Sequence, residues 1–282
     1  MRGALRRHVF PVPIARPPGT DLAAGDRVGI FRIVRRIAPS YYDAEDAVTQ
    51  KRVTIEVGDR DDSRLVDVRY VRAQSILEPL SHPGIARILD HGTLYDDRPW
   101  IVAQRPHGAA LSELFGAGRL TRAEAAALVR GVASVLAYAH AHEIVHGNLR
   151  PHQIVVIDDD PDALVPVSVG GWASLRSPGI PAFGDPPPVS VYVAPEHAVG
   201  PIDQRADIYT LGAIAYRGLT GVFPDVARDL VDANDALGAL VNDMLSADPR
   251  DRPTASQICA SLIDELPTAR RPAVSLSGHA MR

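Results

Sequence analysis

Ile144-Val145-His146-Gly147-Asn148-Leu149-Arg150-Pro151-His152-Gln153-Ile154 is the stretch whose reading decides this chain. Apolar residues bracket a polar run in which His146, Leu149 and Pro151 are interleaved with two neutral amides, Asn148 and Gln153. Just upstream, Thr121-Arg122-Ala123-Glu124 has the form of a capping box: the Thr121 hydroxyl accepts from an amide of the first turn while Glu124 reaches back. The Ala-, Val- and Leu-rich residues that follow predict a helix as far as His142. Downstream, helices are predicted around 203–219, 233–246 and 254–265.

Further upstream the pattern changes. Phe31–Ile37 and Val53–Val57 read as strands, as do Ile85–Leu89 and Trp100–Ala103, the last after a turn at Asp96-Asp97. Ser63 to Leu80 reads as one helix, with Val66, Val71, Ile76 and Leu80 at helical spacings. Residues 1–25 combine four prolines with arginines and no apolar period, the composition of a flexible arm. Residues 267–282 read as a disordered tail. Strands with one helix, followed by mostly helices, indicate an α+β chain of two lobes.

At 282 residues and 46% hydrophobic, the chain can bury a core without staples. A net charge of -4 gives no basic field for nucleic acid. One cysteine, Cys259, excludes an internal disulfide and suits a reducing, cytoplasmic setting. No apolar run reaches membrane-span length, and the arginines near the N-terminus precede no signal-like apolar region. Lys51 is the only lysine, which limits where a lysine could serve chemistry.

Five motifs stand in a fixed order. They are His82-Pro83-Gly84-Ile85, the His146 stretch, Ala194-Pro195-Glu196, Asp207-Ile-Tyr-Thr-Leu-Gly212 and Asp248-Pro-Arg-Asp-Arg-Pro253. Together they resemble the eukaryotic-like Ser/Thr protein kinases, especially the bacterial ones, over residues 26–266. The resemblance implies a bilobal protein-kinase-like fold, with a small β-rich N-lobe over about 26–104 and a larger helical C-lobe over about 107–266. It also implies structural roles. Glu196 pairs with a buried Arg252, Asp207 accepts from the backbone of the His146 stretch, and His146 packs and bonds structurally. Exchanging the charges of Glu196 and Arg252 is then expected to recover part of what either single loss costs.

The resemblance fails where the family's chemistry sits. Phosphoryl transfer of this type needs a lysine on the third strand, a glycine-rich phosphate loop, an aspartate base, and an aspartate and asparagine for Mg²⁺. The lysine position holds Glu56, a carboxylate that repels phosphate. Lys51 lies on the opposite strand face, about 17 Å away at ~3.3 Å per residue, and Arg52 shares the face of Glu56 but is about 13 Å off. The expected phosphate loop, Ile37 to Ala47, has no glycine and carries Asp43, Glu45 and Asp46. The helix glutamate falls near Arg72 or Ala73. Asn148 stands for the base and Gln153 for the metal-binding asparagine. Gly171 stands for the metal-binding aspartate, or Gly170 in the alternative register. Trp172 then fills the apolar slot behind the cleft. In the hinge, Ala103 is the gatekeeper and Gln104 follows it. Pro106 falls where a backbone N–H normally meets adenine, and proline has none.

Other candidates are weaker. Asp158–Asp162 lacks the glycine and terminal glutamate of a calcium loop and reads as a hairpin turn. His140 and His142 lack a zinc-protease pattern. Tyr41-Tyr42 read as loop features, and Ser174, Ser177 and Ser190 lie in a proline-interrupted segment. The reading is therefore a pseudokinase, a regulatory or scaffolding module for another protein, either a true kinase or its substrate. It is expected to have no catalytic residues, metal or cofactor. Two alternatives remain: an active or residually active kinase using ATP and Mg²⁺ through displaced groups, and a nucleotide sensor without transfer.

Overall fold

Alternating burial along Phe31–Ala38 sets the first long strand against a second, and the chain builds a curled sheet from there. The computed structural model describes residues 21–58, 73, 75–157, 167–172, 175, 191–198, 202–224 and 235–262. Strands β1 (Arg27–Val28), β2 (Phe31–Ala38), β3 (Tyr41–Asp46), β4 (Arg52–Val57), β5 (Ile88–Thr93) and β6 (Pro99–Gln104) form one antiparallel sheet in the order β1-β2-β3-β4-β6-β5. Val28, Phe31, Ile33, Tyr42, Val53, Ile55, Trp100 and Val102 make its apolar core. The indole of Trp100 lies over Gly92, where an added Cβ would come within 2.5 Å of the ring.

β3 corrects the sequence reading. Tyr41-Tyr42, expected in a loop, are strand residues at 4% and 0% exposure. Both faces of Tyr41–Ala44 are buried, so the polar-apolar alternation that advertises a strand is missing. Ala38 pairs with Tyr41, which leaves a two-residue turn, Pro39-Ser40, with Ser40 at φ 61. The strand expected at Ile85–Leu89 begins later, at Ile88; Ile85 makes only an isolated parallel bridge to Val169. Residues 21–25, assigned to the arm, pack on the sheet: Leu22 donates to the Tyr42 hydroxyl at 3.3 Å and the Gly25 N–H to Ile33 at 2.8 Å.

A second, three-stranded sheet, β7 (Gly108–Ala110), β8 (Ile154–Ile157) and β9 (Val167–Val169), leads into the helices. These are α1 (Leu111–Ala117), α2 (Arg122–Ala141), α3 (Gln204–Thr220), α4 (Ala236–Met244) and α5 (Ala255–Ser261). The Thr121 box forms as expected: its hydroxyl accepts from Glu124 N at 3.3 Å and its N–H donates to Glu124 at 2.7 Å. Asp203 caps α3, and Gly221 ends it in the left-handed region at φ 79. Val132 and Leu136 of α2 meet Leu211 and Ile214 of α3 in one large core. The result is an α+β molecule with a sheet lobe and a helical lobe. Of the helix expected at 63–80, residues 73 and 75–77 are seen as helical. Its remainder up to 72, with Arg72, lies outside the described residues. So do residues 1–20, Asp158–Asp162, Ser174, Ser177, Ser190 and the tail 267–282.

Candidate functional site

The His146 stretch is held from beneath by one carboxylate. Asp207, in the first turn of α3, accepts from His146 N and Gly147 N, each at 2.8 Å, and meets His140 Nε2 at 2.9 Å. Burial opposes its charge, but the hydrogen bond and charge of His140 outweigh burial and keep it below the usual carboxylate range. His146 is fully buried. Its Nε2–H donates to Gly170 O at 2.8 Å, and Nδ1 accepts the Asn148 N–H at 3.4 Å. Burial pushes its pKa down, so it stays a neutral strut. Trp172 stacks against it at 4.5 Å between ring centroids and donates through Nε1 to Val169 O at 2.8 Å.

A second fixed point lies in the helical lobe. Arg252, with its side chain 0% exposed, grips both oxygens of Glu196 at 2.6 and 2.9 Å. It also donates to the carbonyls of Ser246, Arg205 and Ala247 at 2.8, 2.9 and 3.3 Å, and lies over the Tyr209 ring. These contacts tie the segment before α3 to the one before α5.

The cleft between the lobes holds the residues singled out for chemistry. Glu56 on β4 sits between Tyr41 of β3 and Ile101 of β6 in the strand register. Among the described residues it has no ion pair and no hydrogen-bond partner, and burial alone raises its carboxyl to about 7. Ala103 lines the same space, Gln104 points outward, and Pro106 lies in the link from β6 to β7. Asn148 is half-buried and Gln153 is buried; Asn148 Oδ1 and Gln153 Oε1 have no hydrogen-bond partner. Gly171, at φ +76, lies directly under Gln153: an added Cβ would come within 2.2 Å of its Cδ.

Tyr41 and His152, which sequence reasoning did not assign to this site, meet across it, and Asp43 is paired where a free charge was expected. The Tyr41 ring reaches across to His152 of the His146 stretch, 4.8 Å between centroids, and its hydroxyl lies 3.5 Å from Thr54 Oγ1. Burial pushes the Tyr41 phenol up and, with the charge of Arg150, the His152 imidazole down to about 4. Asp43, also on β3 and 0% exposed, faces Arg105 of the hinge, Oδ1 to Nε 3.3 Å, and Arg35 of β2 at 3.3 Å. Arg35 also pairs with Glu113 of α1, so the charges run from sheet lobe to helical lobe. Asp43 is thus internally paired instead of adding free negative charge to the cleft. Tyr41 and Asp43 are two apart, which puts them on one face once the segment is known to be a strand.

Between Tyr41, Thr54, Glu56, Ala103, Gly171 and Trp172 a cavity of about 10 Å³ remains, room for one water-sized group. Among the described residues no group of three or more His, Cys, Asp or Glu side chains is placed to hold a metal. Restoring a carboxylate at Gly171 meets Gln153 first. Gly171→Asp is expected to cost about 1–3 kcal/mol by overpacking, read as a lower urea midpoint, and Gly171→Asp with Gln153→Ala to regain part of it. An unchanged midpoint in the single variant would mean that Gln153 does not hold that position.

Compared with known proteins, residues 41–262 match the family model described as Protein kinase domain. The chain is similar to the serine/threonine-protein kinase PknJ of Mycobacterium tuberculosis, 29% identical over 216 residues, covering 73% of this chain and 36% of that protein. It is also similar to PrkC of Bacillus subtilis, 30% identical over 210 residues, covering 71% of this chain and 32% of that one. The chain therefore spans about a third of the length of these curated relatives. The crystal structure of the M. tuberculosis PknI kinase domain matches with a TM-score of 0.62 at 19% identity, over 87% of this chain and 99% of that one. At that identity the likeness speaks for the fold.

Proposed function

The chain belongs to the protein kinase domain family, and from that premise we propose that it is a pseudokinase domain that binds another protein and transfers no phosphate. One observation carries the reading: among the described residues, the chain's own side chains meet across the cleft where a nucleotide would lie. Tyr41 and the Asp43–Arg105 pair approach from the sheet, Gln153 covers Gly171 from the other side, and the cavity lined by Tyr41, Glu56 and Trp172 is about 10 Å³. The residues present do not suit ATP and Mg²⁺. Glu56 offers a carboxylate where phosphate needs a cation, Gly171 has no ligand atom, and Pro39-Ser40 is too short to wrap a phosphate chain. Catalysis of this kind is mostly positioning and charge stabilisation, so these losses compound.

The partner proposed is a protein, a true kinase or its substrate, for which the two-lobe domain is a scaffold. Among the described residues no helix is long and apolar enough to cross a membrane. The lone Cys259 suits the cytoplasm as the proposed location.

The test is a thermal-shift titration with ATP, with and without Mg²⁺ or Mn²⁺. A ligand at 100 times its Kd adds about 2.7 kcal/mol to the folded state; no shift is expected at millimolar ATP, and a clear Mg²⁺-dependent rise would sink the reading. In a phosphorylation assay Glu56→Lys, Asn148→Asp and Gly171→Asp should each stay at background with the wild type. Robust wild-type transfer that disappears in Asn148→Ala would establish an active kinase instead.

A further inference from the structure

We propose that the small cavity between the sheet and Trp172 is a binding site for one protonated primary amine, either a lysine side chain of a partner protein or a free alkylammonium ion. The inference rests on the reading above, in which no nucleotide enters the cleft. Its walls are a carboxyl group, Glu56, two aromatic rings, Tyr41 and Trp172, the Thr54 hydroxyl, and otherwise apolar side chains.

Among these walls the one group that ionises near neutral pH, Glu56, is acidic, and no basic side chain lines the space. Among the described residues Glu56 has no ion pair and no hydrogen bond. A carboxylate left alone in apolar surroundings is costly, and an ammonium beside it removes that cost. Aromatic faces attract ammonium groups at short range. The next residue beneath, Gln153, packs over the cavity-lining Gly171 and keeps a buried oxygen, Oε1, without a donor. The Tyr41 and Thr54 hydroxyl protons are directed to Thr54 Oγ1 and Ala103 O, which leaves the Glu56 oxygens as acceptors for an –NH₃⁺ group.

Size narrows the class. About 10 Å³ admits one water-sized head, which an ammonium is, and excludes a guanidinium or a tetramethylammonium. The amine has to come from outside. Lys51 is the only lysine of the chain, is exposed, and lies five residues before Glu56 on the same strand run, hence on its other face.

The experiment uses the full chain at pH 8.5, where Glu56 is ionised, and follows thermal unfolding as methylammonium chloride is titrated against equal sodium chloride. A saturable rise of roughly 2 °C is expected, the size that a few times Kd produces in a domain this long. It should vanish in Glu56→Gln, shrink in Tyr41→Leu, and be absent with tetramethylammonium or guanidinium at matched ionic strength. A short lysine peptide and its norleucine counterpart separate the sources: a lysine-dependent rise at lower concentration than methylammonium assigns a protein side chain, and none assigns the free amine. No saturable rise in the wild type, or an equal rise in Glu56→Gln, overturns the proposal. An ATP·Mg²⁺ arm in the same assay keeps the two readings apart, because a shift there overturns the pseudokinase reading whatever the amines do.

Discussion

Arg252→Ala is expected to unfold the helical lobe or bring it to the edge of unfolding. Removing one partner of a buried ion pair costs about 3–5 kcal/mol, against a total of roughly 5–15 kcal/mol for a typical domain. Arg252 should fall at the upper end, because its loss strands three backbone carbonyls as well as Glu196. Glu196→Ala should cost less: Glu196 is partly exposed, and Arg252 keeps its carbonyl partners. The same geometry argues against the expectation that a charge exchange recovers stability. A glutamate at 252 would face the oxygens of Ser246, Arg205 and Ala247, so Glu196→Arg with Arg252→Glu should be no better than the worse single variant. Urea unfolding of the four proteins decides it; an exchange that restores the midpoint would show that the carbonyl contacts contribute little. Glu196 also carries a pH signature. Burial opposes its charge but Arg252 prevails and holds its pKa low. Its contribution is present above the ordinary glutamate range and is lost as pH falls through the lowered value.

Glu56→Gln is expected to stabilise the protein, and more so as pH rises. Burial raises the Glu56 carboxyl from 4.5 to about 7. The folded state therefore holds its proton more tightly than the unfolded chain does. Below pH 4.5 both states are protonated and there is no penalty. Between 4.5 and 7 the unfolded state ionises first, and stability falls with rising pH. Above 7 the penalty is complete, up to about 3 kcal/mol for a shift of this size. Glutamine keeps the shape and removes the charge, so the difference between variant and wild type should grow from near zero at pH 4.5 to its full value at pH 8. A difference that does not change with pH would mean that Glu56 has a counter-ion in solution.

The lobes and most of their elements were legible because each left a local mark. The Thr121 box opens a long helix, and alternation along β2 exposes a strand. Glu196 and Arg252 were legible as a pair only through motif order, since nothing local joins residues that far apart. Tyr41 was read as loop for a physical reason. Its strand is covered on both faces and carries acids, so neither alternation nor β-branched residues announced it. Asp43 looked like a free negative charge because its partners, Arg35 and Arg105, come from another strand and from the hinge. Gly171 was read as a missing ligand; that Gln153 had taken its space is a matter of packing.

Tyr41 gives the domain an occupant that cannot diffuse away. In a protein whose lobes close around a nucleotide, the closed population follows the concentration of that nucleotide. Here the residue whose ring reaches His152 also pairs with Glu56 in the sheet, so the contact across the cleft is anchored in β3 itself. If the proposed reading holds, the shape offered to a partner is set by the stability of the fold and by pH, and is expected to stay the same whether a cell is rich in ATP or starved of it.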